Sequence, residues 1–324
     1  MNLSAPLLAD AAPPDIWHNL GATQIAFTPT VLIAGALALY LWGAWRVGRV
    51  HPGEPWAARR TVSFAAAMAV TFVAIELFVG VYDDSLFYDH MIQHLLLIMV
   101  AAPLIALGAP LDLLARATAG RAHRWVTRIL RSEVAHALGH PITALALYAG
   151  FIPVAHLTGL YNAALTNDLL HDNEHLAFLV IGYLFWRQVV AVEPRRPLSP
   201  PLRLVYLMLA VPVDTFAGLT LVSASSELFP HYADVHRTWG PSLVGDLHIG
   251  GAIMWVGGDT LMVLAMIPVV VQWLRYENER AALLDAELDA AEEEAARGPE
   301  AAGRGPSALS DLSGRRPGVD FGEQ

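Results

Sequence analysis

The sequence contains no cysteine and no lysine. Without cysteine there are no disulfides, no thiolate metal sites and no Cys-x-x-Cys redox pair, so any metal must be held by histidine, methionine or carboxylate. Every basic side chain is an arginine, which reads as a bias of codon composition rather than a device of mechanism. Charge is scarce: 15% of the residues are charged and 55% are hydrophobic, with mean hydropathy +0.44. A soluble domain carries about 25% charged residues, so this composition belongs to an integral membrane protein. Residues 1–28 hold no arginine and no evident small-residue cleavage site, which argues against a secretory signal. The net charge of −10 owes much to the C-terminal tail and says little about partners.

What is present starts with residues 90–110, HMIQHLLLIMVAAPLIALGAP. Two histidines four residues apart lie one helical turn from each other on the same face. An apolar run of about 20 residues follows, enough to cross a bilayer. Polar side chains at that depth are costly, so they invite a functional reading. Similar runs predict an all-α bundle of seven transmembrane helices at about 29–47, 61–82, 90–108, 137–157, 171–190, 202–225 and 244–273. Arginines gather after the first, third, fifth and seventh runs, while the alternate loops are nearly free of them. The positive-inside bias then places the N-terminus outside and the C-terminus in the cytoplasm. The expected organisation is an extracytoplasmic segment 1–28, a membrane domain 29–275, and a cytoplasmic charged helix with a disordered tail, 276–324. Residues 111–132 read as an amphipathic segment lying on lipid, and 193–201 as a stiff turn.

That topology sorts the histidines. His90 and His94 open the third run on the outer side, and His171 and His175 open the fifth, within HDNEH. His248 lies near the outer start of the seventh. Met91, Glu174, Asp246 and Met254 accompany them as candidate metal ligands. His136 and His140 share the four-residue spacing but sit at the cytoplasmic start of the fourth run beside Pro141, where capping is the expectation. His156, His231 and His236 read as solvated or capping. Glu76, Asp214 and Asp259 fall inside spans, where structural pairing is favoured over an ion relay. Neutral imidazoles with thioether and carboxylate suit copper, and zinc equally by chemistry alone. Protonation competes with metal at such ligands, so capture is expected to be pH-dependent.

Five blocks carry a family resemblance: HMIQHLLLIMVAAPLIALGAPL, GHPITALALYAG, LYNAALTNDLLHDNEHLAFLVIGYLFW, RPLSPPLRLVYLMLAVP and GDLHIGGAIMWVGG. In order and spacing, over about residues 29–275, they resemble the CtaG-type cytochrome c oxidase assembly factors of bacterial plasma membranes. The resemblance implies a multi-span helper, not an enzyme, that matures a haem–copper oxidase and serves the copper centre of its catalytic subunit. Its partners would be oxidase subunits and the lipid bilayer, with a homodimer left open and no nucleic acid. The family's histidine-rich blocks fall on His90, His94, His171, Glu174 and His175, and its last block on residues 246–255. His248 stands where other members commonly carry a Gln-like residue. An unrelated single-span copper protein that shares the family name relies on cysteine, which this chain lacks.

Two other classes stay open on the residues alone. A seven-span zinc hydrolase would need stoichiometric zinc and amidase or protease activity. A b-type haem protein would show a Soret band. A transporter is disfavoured, because no inverted repeat is visible.

Overall fold

The computed structural model describes residues 23–190, 192 and 198–297. Residues 1–22 of the expected N-terminal segment, residues 193–197 of the expected turn and the tail beyond Arg297 lie outside the described residues. Among those described, the chain is helical and without strands. We number the helices α1 (Phe27–Val50), α2 (Ala58–Glu76), α3, α4 (Pro110–Ala117), α5 (Gly120–Leu130), α6 (Glu133–Leu138), α7 (Pro141–Leu157), α8 (Gly159–Leu165), α9 (Asp168–Val190), α10 (Pro200–Val222), α11 (Pro230–Asp234) and α12. Helix α3 has three parts, Phe87–Leu95, a π-helical Leu96–Ala101 and Ala102–Gly108. Helix α12 likewise runs through Leu243–Ala252, a π-helical Ile253–Gly257 and Gly258–Arg297.

Five stretches are long and apolar enough to cross a membrane: α1, α2, α3 with α4, α10 and α12. Helices α7 and α8 qualify only together, as a pair bent by 68°. The expected fifth span, α9, has the length, but Asp168, His171, Asp172, Asn173, Glu174 and His175 occupy its first two turns. The residues that make α9 interesting are therefore the ones that weaken its signal as a span. The chain is a multi-pass helical membrane protein, its outward faces rich in side chains such as Leu32, Leu39, Met208, Phe216 and Val263. In hydrocarbon such side chains need no cover, whereas backbone groups must be satisfied within helices.

The chain divides into two units, Met1–Val270 and Val271–Gln324. In the first, one core runs through α3, α7, α9, α10 and α12, centred on Phe87, Met91, Tyr148, Phe178, Phe185 and Leu207. A second core joins α1, α2 and α4 around Tyr40, Phe64 and Leu113. Glycines permit the closest crossings. A Cβ on Gly218 would lie 2.7 Å from the Gly251 carbonyl oxygen, so α10 and α12 meet backbone to backbone. Helix α5 buries none of its residues and presents Trp125 and Ile129 outward. In the second unit, the helix continues to Arg297 with exposed side chains from Leu274 through Glu293, and the half-buried Trp273 donates to Glu277 Oε1 at 3.1 Å.

Candidate metal centre

The site is built at the end of the bundle where the 77–86, 158–167 and 223–242 connections meet. Helix α3 begins there, and its first N–H groups have no partner within the helix. Asp246 of α12 supplies one: its carboxylate accepts from Phe87 N at 3.1 Å and Tyr88 N at 2.9 Å. Arg237 balances that carboxylate at 2.7 Å. One turn along α12, Gly250 leaves room for the Phe87 ring, which any Cβ there would strike. These contacts set the height and rotation of α3 and turn His90 and His94 into the bundle, where they are 0% and 3% exposed.

Helix α9 is fitted against α3 in the same way. Gly182 faces Ile98 and Ala102 across a gap too small for a Cβ, and the Trp186 indole donates to the Ile98 carbonyl at 2.7 Å, inside the π-helical part of α3. His171 and His175 thereby come to lie opposite His90. Ring centroids are 5.0 Å apart for His90 and His171, 4.3 Å for His171 and His175, and 6.1 Å for His94 and His175. One ligand atom each from His90, His171 and His175 lies within 4.8 Å of the others, and the same holds for His90, His94 and Glu174.

The hydrogen bonds decide which nitrogens are free. Each ring is neutral, since a buried charge without a partner is strongly disfavoured. His156 Nδ1 meets the Ile152 carbonyl at 2.9 Å. A carbonyl only accepts, so His156 carries its proton on Nδ1 and its Nε2 is bare. His94 Nδ1, 3.1 Å from that Nε2, must then be the donor. This leaves His94 Nε2 bare, and His90 Nε2, 2.8 Å away, must donate to it. The relay ends on His90 Nδ1, which is buried, holds a lone pair and has no hydrogen-bond partner. A second relay runs beside it. The Gln93 amide N–H₂ donates to the Ala74 carbonyl at 3.0 Å and to Asp83 Oδ2 at 2.9 Å. Gln93 Oε1 therefore faces His175 Nε2, at 2.9 Å, as an acceptor. His175 carries its proton on Nε2, and its Nδ1 is likewise bare and unpartnered. His171 Nε2 is also without a hydrogen bond, 3.9 Å from Asp83 Oδ2. Both oxygens of Glu174 are buried and unpartnered.

Unpartnered buried polar atoms are rare and call for an explanation. Five meet here. Donating the second ring N–H to a fixed acceptor is also how metal-ligating histidines are commonly held in orientation. The donor set fits a small cation that accepts imidazole nitrogen. His94 differs from its neighbours, because both its nitrogens are already engaged.

The remaining candidates lie elsewhere. His248 Nε2 donates to the Ala224 carbonyl at 2.8 Å. Asp246 caps α3 and pairs with Arg237. Met91 and Met254 are buried in the main core. His248 and Asp246 belong to neither ligand group, and the Met91 side chain packs against Gly250 of α12. His231 Nε2 donates to the Asp84 carbonyl at 3.0 Å. Glu76 accepts from Ala26 N at 2.7 Å and Thr30 Oγ1 at 2.9 Å, holding the start of α1. Asp214 accepts from the Tyr148 hydroxyl at 2.7 Å, and Asp259 from Thr215 at 2.8 Å. Burial raises the carboxyl of Asp83 well above the ordinary value of 3.8, and the neighbouring Asp84 adds to the rise while Gln93 opposes it.

Residues 38–276 match the family model described as cytochrome c oxidase caa3 assembly factor. The chain belongs to this family. Among curated relatives, uncharacterized proteins of Mycobacterium bovis and Mycobacterium tuberculosis are each 30% identical over 286 residues, which is 86% of this chain and 43% of theirs. A protein of Mycobacterium leprae is 27% identical over 259 residues, 77% of this chain and 39% of its own. The chain thus spans less than half the length of these relatives. No solved structure matches it.

The hydrogen-bond geometry adds residues that no motif in the sequence marked. His156 was expected to cap or meet solvent, yet it is 2% exposed and anchors the first relay. Gln93 and Asp83 anchor the second. Gln93 had a readable signal, as a neutral polar side chain inside an apolar run. His156 had none, since its partner His94 is 62 positions away.

Proposed function

We propose that this chain is a copper carrier of the bacterial plasma membrane that serves a haem–copper oxidase during its assembly. The metal is cargo, taken from the extracytoplasmic side and passed to the catalytic subunit as that subunit folds in the same bilayer. The observation that carries this reading is that His90, His171 and His175 each bring a ring nitrogen within 4.8 Å of the others at the end of two packed helices, and that each keeps a buried nitrogen without a hydrogen-bond partner. Glu174 stands beside them. His94, His156 and Gln93 fix which nitrogens point inward. Three neutral imidazole ligands suit a carrier, because they hold the cation by lone-pair donation without the closed coordination that would resist release. With no cysteine in the chain, imidazole takes the place of thiolate.

The test is metal analysis of the purified full chain after loading with copper and with zinc, alongside a His90→Ala/His175→Ala variant. Copper retained by the wild type and lost by the variant, with membrane insertion unchanged, is the expected result. Equal copper in both would refute the assignment. A zinc hydrolase is the competing reading, because a carboxylate beside three imidazoles also suits that chemistry. Stoichiometric zinc together with amidase or protease turnover would move the assignment there.

A further inference from the structure

Beside the imidazoles lies a cavity of about 350 Å³. Its walls include Asp83, Asp84, Asp168, Asp172, His171 and His175, and no arginine among the described residues. The carboxylates are graded in depth. Asp168 and Asp172 are exposed, Asp84 is half-buried, and Asp83 is 5% exposed. His175, also 5% exposed, shares the cavity wall, and its Nδ1 has no hydrogen-bond partner. Asp83, Asp84 and Asp172 face one space with no arginine among the described residues on its wall, and carboxylates so gathered repel one another, an arrangement that a cation passing through would relieve. The exposed pair sits on the first turns of α9, the same helix that carries His171 and His175 deeper in.

We propose that this cavity is the cation entry of the chain, a vestibule whose carboxylates gather hydrated metal ions and deliver them past Asp83 and His171 to the buried imidazole nitrogens. The inference rests on reading the imidazole group as a metal site. It adds the route and the residues that set the rate of loading. Field lines from carboxylates at the mouth of a low-dielectric cleft concentrate cations there and raise association rates, and salt abolishes the effect. The vestibule acts on the speed of capture, and the imidazoles on its strength.

The experiment mixes the detergent-solubilised full chain with aqueous Cu(II) in a stopped-flow instrument. Uptake is followed by quenching of intrinsic fluorescence at low and high ionic strength. Wild-type uptake should slow as salt rises. Asp168→Asn/Asp172→Asn should slow uptake by about 5- to 10-fold at low salt, with the gap closing at high salt and the final copper content unchanged. Equal rates for variant and wild type at low salt would overturn the vestibule alone. If the double variant does not fold, the single Asp84→Asn and the wild-type salt dependence carry the test, and a wild-type rate indifferent to salt overturns the proposal. A wild type that takes up no copper at all would remove the imidazole reading and the vestibule with it.

Discussion

His90/His94 and His136/His140 are the same four-residue pattern with opposite fates. The first pair lies within one unbroken helix, 0% and 3% exposed, and its rings meet at 2.8 Å. The second pair is exposed and divided between two helices. Helix α6 ends at Leu138, Gly139 follows, and His140 is the N-cap of α7, accepting from Ile142 N at 3.3 Å. Pro141 explains the division, because it disfavours helical conformation in the residue before it. Spacing alone therefore does not make a ligand pair. A continuous helix must place both rings on one face, and a second helix must arrive to bury that face with acceptors of its own.

The comparison can be broken or sharpened by substitution, and the largest effect belongs to the inward ligands. His90→Ala/His175→Ala should reduce retained copper to background and abolish assembly of active oxidase, read by metal analysis and oxidase turnover. Removing the groups that hold those rings should weaken binding without ending it. His94→Phe and Gln93→Leu should each lower metal affinity by about 10- to 100-fold, measured by competition with a chelator. Full abolition by His94→Phe alone would instead make His94 a direct ligand with Glu174.

Smaller effects concern the frame. Gly250→Val drives a side chain into Phe87, one turn before His90, and should destabilise the protein by about 1–3 kcal/mol in thermal melts. Asp83 gives a pH signature. Its folded-state carboxyl titrates above the ordinary value of 3.8. The stability it contributes is thus present below that value and is lost as pH rises through the folded one. One coupled proton changes stability by up to about 1.4 kcal/mol per pH unit. Asp83→Asn should flatten this decline, and an unchanged slope would show that another group causes it. Least of all, His136→Ala/His140→Ala should leave copper retention untouched and change stability by less than about 1 kcal/mol through the lost cap.

Much of the architecture could be read in advance, for physical reasons. Apolar runs announce helices in lipid because the backbone has no other partner there, so α1, α2, α3, α10 and α12 stand where the runs do. Helix α9 is harder to read as a span, since its first turns are polar for the sake of the site. The histidine pairs of α3 and α9 were visible as a pattern, and both come to one place. His248 sits in an equally promising block but donates to Ala224, because the rotation of α12 is set by Asp246 capping α3 and by the Gly250 and Gly251 contacts. No local pattern encodes that rotation.

The sequence by itself determined an all-helical membrane protein without thiolate chemistry, and it marked two helix starts where imidazoles gather. Composition and periodicity suffice for that, since burial in lipid acts on each segment separately. Only the tertiary structure decided which imidazole nitrogens are bare. That choice depends on the Ile152 carbonyl accepting from His156 and on Gln93, oriented by the Ala74 carbonyl and Asp83, presenting its oxygen to His175, and a hydrogen bond between distant helices exists only once their packing has placed both ends.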